Sequence, residues 1–338
     1  MTSNERVITA AYKNDHSVSL RPLIQRPLTP NEIRLRVDAC GICGSDLLTS
    51  PGEKAESPFG HEIAGTIIEL GSKVDKLEDG QTVVLESSSA CGRCSNCRND
   101  RQELCTDVQS FFMSNSFGFS EEMIAPAVSA IPYDGLKPEI ASLSEPLGVA
   151  IDMVRLADIR LDSNVLILGL GPIGLMALAL VKRMGARRVF LSACSSKTAR
   201  IEVARKFGVD EVVDPSVTPL PTYDFGCKID RILVTTPPPT LNDAFQVGSN
   251  GAIISFIGIA YGDKAYCTFD VNSFHFKKLQ LRSSYASPAL FTPLALQYLR
   301  EGVIDGEAMI SHRFPLTKIE EAVRVARDTT RSVKVVVI

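Results

Sequence analysis

Four cysteines fall within fifteen residues as C-x2-C-x2-C-x7-C: Cys91, Cys94, Cys97 and Cys105 in CGRCSNCRNDRQELC. Two-residue gaps bring neighbouring thiolates to one side of a tight turn, and the fourth arrives from the end of the loop. Four thiolates at about 2.3 Å complete a tetrahedral zinc shell and leave no position for a substrate, so a structural zinc site is expected. The spacing fits the ferredoxin patterns of four-cysteine iron–sulfur clusters poorly. Six of the nine cysteines lie between Cys40 and Cys105, and the polar start MTSNERVITAAYKND does not read as a secretory leader. Crowding of that kind favours metal thiolates over disulfides and makes the cytoplasm the expected location. Cys194, Cys227 and Cys267 are scattered and read as small interior residues.

A second group offers different chemistry. Cys43 stands in GICGSD, His61 and Glu62 in GHE, and Glu145 in SEPLGVA. Each alone is a weak signal, since a histidine beside a glutamate is commonly a surface pair. Gly41, Gly44 and Gly60 sharpen it by permitting close backbone approach. A thiolate, an imidazole and a carboxylate can hold zinc with one position open, which is the requirement for Lewis-acid catalysis.

The third constellation is G-x-G-x-x-G in GLGPIG, with Gly169, Gly171 and Gly174. It follows the apolar run VLIL and opens a stretch of helical length, with Pro172 and Ile173 at the helix start. That context makes it a dinucleotide fingerprint, in which helix amides and dipole receive the pyrophosphate. An acid normally ends the next strand and bonds the ribose 2′-hydroxyl. No Asp or Glu occurs between Gly174 and Glu202. Counting back from Ala204 places Ser195 where that acid would stand, followed by Ser196, Lys197 and Arg200. A missing carboxylate with added cations suits a 2′-phosphate, so NADP is expected in preference to NAD.

The elements that must position these groups change texture along the chain. The first 150 residues carry short β-branched runs between turns, among them EIRLRVDAC, EIAGTIIEL and QTVVLES. From about Asn164, strand and helix patterns alternate: VLILGLG, a helix, RRVFLSA, KTARIEVARKFG, DEVVD, RILVTT and AIISFIG. Such alternation indicates a parallel, doubly wound sheet. After about Ser284 the pattern loosens into a helix near Thr292–Glu301, HRFPL, an amphipathic helix from Ile319 and the terminal strand KVVVI. The expectation is an α/β chain with a β-rich domain of residues 1–150 and 285–338, interrupted by a nucleotide-binding domain of residues 151–284. A net charge of −3 gives no support for nucleic acid or an anionic membrane as partner, and no apolar run is long enough to span a bilayer.

Taken in order, GICGSD, GHE, the four-cysteine lobe, EPLGVA and GLGPIG resemble the zinc-containing medium-chain dehydrogenases, and most of all their polyol, sugar and cyclitol branch. The resemblance runs over essentially the whole chain. It implies a GroES-like β-rich catalytic domain joined to a Rossmann domain. It also implies zinc-dependent hydride transfer between a secondary hydroxyl and NADP or NAD, and a homodimer or homotetramer. Cys43 and His61 match direct ligands of catalytic zinc. Glu62 matches a glutamate that ligates directly or through water, and Glu145 the branch-specific glutamate before Pro-Leu. Ser45 matches the hydroxyl of the proton relay. Thr235 and Ile257, Gly258 and Ile259 match loops that line the coenzyme. The chain departs from the pattern in several places, and the interval from Cys43 to His61 is shorter than is common, which implies an altered or more open cleft. Asp46-Leu47-Leu48-Thr49 stands where relatives place a histidine or aromatic residue, and Ala286 stands where animal-type sorbitol dehydrogenases place an arginine. Sorbitol is therefore not the expected substrate. A threonine-type or simple secondary-alcohol dehydrogenase is the alternative within the family, and a catalytically silent cofactor-binding relative is the alternative outside enzymes. His16, His275 and His312 have no partner motif and read as structural, while Asp152 and Arg155, on a helix after EPLGVAI, read as solvated or domain-bridging residues rather than catalytic ones.

Overall fold

The computed structural model describes residues 6–14, 17–48, 56–114 and 116–338. His16 and Thr49, named above, lie outside the described residues. The chain divides into two compact units. One comprises residues 1–148, 286–328 and 334–338, and the other residues 149–285 and 329–333.

The first unit begins with a small antiparallel sheet of β1 (Arg6–Lys13), β2 (Val18–Gln25) and β4 (Ser57–Pro58), in the order β2-β1-β4. Its larger sheet is built around β3 (Glu32–Gly41) and β5 (Glu62–Leu70). β3 pairs with β5 and also with β7 (Glu122–Pro126), while β6 (Thr82–Leu85) joins β5 to β8 (Ala130–Pro132). The run EIRLRVDACG of β3 is buried over most of its length, as a strand between two partners should be. Ile33, Leu35, Ile63, Ile67, Leu85, Phe111, Phe119 and Met123 form its core.

In the second unit six parallel strands make one sheet: β9 (Asn164–Leu168), β10 (Arg188–Ser192), β11 (Glu211–Val213), β12 (Arg231–Val234), β13 (Ile253–Phe256) and β14 (Gln280–Ser283). Their order, β11-β10-β9-β12-β13-β14, reverses direction at β9, as in dinucleotide-binding sheets. Central strands such as NVLIL and RILV are near-continuous apolar runs because both faces are covered. Helix Pro172–Arg183 follows β9 directly and buries eight residues from Gly174 to Val181.

The chain returns to the first unit with β15 (Ile310–Phe314) and β16 (Lys334–Val337). β16 is antiparallel to β3, with Val336 opposite Gly41, while Gly41 also faces Glu62 of β5. This register sets Lys334 and Glu62 on either side of the end of β3. The five residues 329–333 that lead into β16 belong with the second unit.

Candidate active site

Cys91, Cys94, Cys97 and Cys105 converge: their sulfur atoms all lie within 4.8 Å of one another. A tetrahedron with zinc–sulfur bonds of 2.3 Å requires sulfurs about 3.8 Å apart, and those of Cys94 and Cys105 are 4.0 Å apart. Backbone amides already point at the sulfurs, Cys94 N at Cys91 Sγ (3.3 Å), Cys91 N at Cys105 Sγ (3.4 Å) and Asp107 N at Cys105 Sγ (3.4 Å). The Cys97 and Thr106 amides hold the Cys94 thiol down to about 6. None of the four forms a disulfide. A donor set of four thiolates in this arrangement fits zinc and leaves no open position.

The second group is assembled where β3 ends and β5 begins. Ligand atoms of Cys43, His61 and Glu62 lie within 4.8 Å of one another. Cys43 follows β3 in a turn that runs into the single 3-10 turn Ser45–Leu47. The Lys13 ammonium closes that turn by donating to the Asp46 carbonyl at 2.7 Å. Asp46 is buried and divides its carboxylate between two neighbours. Oδ2 accepts from Cys43 N at 2.9 Å, and Oδ1 lies 3.5 Å from His61 Nδ1. Burial alone would raise its pKa, but the facing His61 holds it below the ordinary value. An imidazole whose Nδ1 faces a carboxylate is fixed in orientation and presents Nε2 as a basic ligand.

Glu62 is fully buried. Its Oε1 forms an ion pair with the Lys334 ammonium, which also donates to the Ile42 carbonyl at 2.9 Å. Its Oε2 is buried with no hydrogen-bond partner. A buried carboxylate oxygen without a donor is costly, and a cation beside Cys43 and His61 would relieve it. Position 41 must be glycine because a Cβ there would overlap that Oε2 and sit 3.1 Å from Lys334 Cε. Glu145 stands in the first turn of helix Ser144–Leu156, outside the three-residue cluster. Burial pushes its carboxyl up to about 7, with His61 pulling it down and Glu62 pushing it up. Ser45 is exposed on its turn. Beside His61, the Phe112 ring makes an edge contact at 6.2 Å between centroids and leans on Phe117, giving the site an apolar wall.

The glycine loop of the second unit has the form a pyrophosphate needs. Gly169 adopts φ +112°, a left-handed conformation that a side chain would strain, and a Cβ there would overlap Thr235 Oγ1. A Cβ on Gly174 would overlap the Gly169 carbonyl, so the helix could not pack as closely. Gly171 has open space where its Cβ would be, and it caps helix Pro172–Arg183 with no side-chain hydrogen bond. The first-turn amides are thereby left for an anion. Thr235 Oγ1 donates to the Leu168 carbonyl at 3.0 Å and ties the end of β12 to the loop. Ile257 N donates to Val234 O at 3.1 Å, Gly258 lies against the Thr236 carbonyl with no room for a side chain, and Ile259 is exposed. Ser195 and Ser196 are exposed just beyond β10. Lys197 and Arg200 turn elsewhere: Lys197 Nζ donates to Thr329 Oγ1, and Arg200 Nε to the Ser332 carbonyl at 2.8 Å.

Comparison with known proteins gives the family of the chain. Residues 29–135 match the model of the alcohol dehydrogenase GroES-like domain, and residues 172–298 that of the zinc-binding dehydrogenases. The chain is 30% identical to L-galactonate-5-dehydrogenase of Escherichia coli, covering 86% of each chain. The chain belongs to the zinc-dependent medium-chain dehydrogenases. It is also 30% identical to an L-threonine 3-dehydrogenase of Rhizobium johnstonii, over 88% of this chain and 89% of that one. The crystal structure of L-idonate 5-dehydrogenase from Escherichia coli superposes with a TM-score of 0.83 at 25% identity, covering 99% of each chain.

As a zinc-dependent medium-chain dehydrogenase it is an NAD(P)-dependent oxidoreductase. Its fold is the GroES-like domain with a Rossmann sheet that the motifs implied. Among the described residues no helix is long and apolar enough to cross a membrane. Three residues of this candidate site were given no role in it by the sequence reading. Lys334 had a signal, a single cation in the otherwise apolar strand KVVVI. Asp46 had a weaker one, an acid three residues beyond Cys43 in a turn. Phe112 had none, since an aromatic pair in a loop reads equally well as core.

Proposed function

We propose that the first unit is the catalytic domain, that Cys43 and His61 are zinc ligands, and that the substrate is a secondary alcohol on a polyol, sugar, sugar acid or cyclitol. One set of observations carries this reading: a cysteine sulfur, an imidazole nitrogen and a Glu62 carboxylate oxygen lie within 4.8 Å of one another, and Glu62 keeps one buried oxygen without a partner. Bound there, zinc supplies the Lewis acidity that makes an alcohol hydroxyl acidic, and the nicotinamide supplies the hydride acceptor. The chain's own residues do the rest. Asp46 keeps His61 oriented, Lys334 holds Glu62 against Gly41, and Ser45, exposed two residues beyond Cys43, relays the substrate proton by taking it up as its own hydroxyl proton passes to solvent water. Glu62 and Glu145 are carboxylates able to enter or leave the metal shell. In the second unit, Gly169, Gly171, Pro172, Ile173 and Gly174 cradle the pyrophosphate, and Thr235, Ile257, Gly258 and Ile259 face the coenzyme.

The test is a zinc assay joined to a substrate panel of polyols, aldonates, inositols, small secondary alcohols and L-threonine. Expected are about two zinc per chain and turnover of a polyhydroxylated substrate, abolished by chelation. Faster turnover of L-threonine would move the assignment to the threonine-type reading, which the Rhizobium relative favours. Only one zinc per chain, with no turnover of any member, would leave a silent cofactor-binding relative.

The chain is further proposed to work as a homodimer or homotetramer in the cytoplasm, where thiolate ligands stay reduced. β14 is the edge of the six-stranded sheet and is exposed along its length. Leu281, Phe276 and Tyr285 on and beside it are exposed apolar groups. An edge of this kind is a template for pairing with a second copy. Leu281→Lys is expected to convert the assembly to smaller species in light scattering on a sizing column. An unchanged mass would remove this edge as the interface.

A further inference from the structure

Coenzyme choice, on the reading that the second unit binds a dinucleotide, depends on the charge met at the C-terminal end of β10, where the ribose 2′ substituent is held. β10 itself brings no acid there: it ends at Ser192, followed by Ala193, Cys194, Ser195 and Ser196. The neighbouring strand does. Ser192 is paired with Val213 of β11, and the Ala193 amide donates to the Val213 carbonyl at 3.0 Å. The next residue, Asp214, therefore emerges beside the end of β10. Its Oδ2 accepts from the Ser195 amide at 2.6 Å. Its Oδ1 accepts from the Ser216 amide at 2.9 Å and the Ser216 hydroxyl at 2.6 Å. The carboxylate is thus fixed against the position that counting along the sequence gives to the missing acid.

These hydrogen bonds, that of the Ser216 hydroxyl first and then those of the Ser195 and Ser216 amides, hold the Asp214 carboxyl far below the ordinary range. It is held in its negatively charged form at neutral pH. The cations that favoured a 2′-phosphate are meanwhile engaged. Lys197 donates to Thr329, Arg200 donates to the Ser332 carbonyl, and the Ala199 amide donates to the Thr330 carbonyl, so 329–333 holds the start of helix Thr198–Lys206. A phosphate on the 2′-oxygen would meet a fixed carboxylate and would have to draw both cations from existing bonds.

We propose that Asp214 supplies from β11 the anion that the end of β10 lacks, and that the enzyme consequently prefers NAD to NADP. This reverses the preference inferred from the stretch between Gly174 and Glu202, because the acid lies beyond that stretch. Asp214 excludes the 2′-phosphate by like charge, while the Ser195 and Ser196 hydroxyls remain exposed beside it for the ribose.

The experiment is direct titration of the zinc-loaded enzyme with NADH and NADPH, followed by nicotinamide fluorescence, for the wild type, Asp214→Asn and Asp214→Ser. The wild type is expected to bind NADH about tenfold more tightly than NADPH, a difference one like-charge contact at low salt can produce. Both variants should narrow the ratio about fivefold or more, chiefly by tightening NADPH. Lys197→Ala should leave the ratio within about twofold. Raising the salt concentration should narrow the wild-type ratio by screening the repulsion, a readout that needs no variant to fold. Tighter wild-type binding of NADPH, or a ratio indifferent to both Asp214 and salt, overturns the assignment and leaves the dinucleotide site standing. Failure to bind either coenzyme overturns the dinucleotide reading and this proposal with it.

Discussion

His61→Ala is expected to reduce kcat/KM by about four orders of magnitude and to lower the bound zinc from about two per chain to about one. A zinc ion held there would make a hydroxyl acidic several units below its solution value, and removing His61 would take away one of its two strongest donors. Glu62 can offer only the one oxygen that Lys334 leaves without a donor, so it is not expected to make up for the lost imidazole. Asp46→Asn should be milder, about 10–100-fold, since the ring remains but loses the carboxylate that fixes its orientation. The two variants therefore separate loss of a ligand from loss of its orienter, and atomic absorption beside steady-state kinetics reads both. If the His61→Ala protein kept both zinc ions and most of its activity, the Cys43–His61–Glu62 cluster would not be the catalytic centre.

What could be read from the residue order follows from how far apart the partners lie along the chain. The four cysteines of the lobe and the glycines of GLGPIG are local patterns, and short spacing fixes their geometry whatever the rest of the fold does. The strands EIRLRVDAC, EIAGTIIEL and VLIL appear as β3, β5 and β9 because each is an apolar run bounded by turns. The Lys334–Glu62 pair joins residues 272 positions apart. It exists only because β16 returns to lie against β3, and nothing local to KVVVI says so. Asp214 illustrates a shorter failure. Its bond to the Ser195 amide spans 19 positions across a strand–helix–strand unit, so a search confined to the end of β10 counts a missing acid that the parallel neighbour supplies. Lys197 and Arg200 were legible as cations, but their partners in 329–333 were not, since that segment follows the amphipathic helix Ile319–Arg327.

Lys334→Met should destabilise the first unit by about 3–5 kcal/mol, the usual cost of stranding one member of a buried ion pair. Both side chains are almost wholly enclosed, at 2% and 1% exposure, so solvent cannot take over for either partner. Loss of the ammonium also frees the Ile42 carbonyl, to which Lys334 donates at 2.9 Å, and leaves both Glu62 oxygens without a donor. The double variant Glu62→Gln with Lys334→Met should recover most of that loss, because neither member of the pair is then charged. A neutral pair of similar volume is often as stable as the ion pair it replaces. Urea unfolding of the four proteins of the cycle, with the chelated form as a second series, measures the coupling. In the metal-loaded single variant, Glu62 is expected to turn to zinc, so zinc addition should restore more stability to Lys334→Met than to the wild type. A Lys334→Met protein within about 1 kcal/mol of wild type, with no coupling to Glu62, would falsify the view that this ion pair is what holds Glu62 beside the metal ligands.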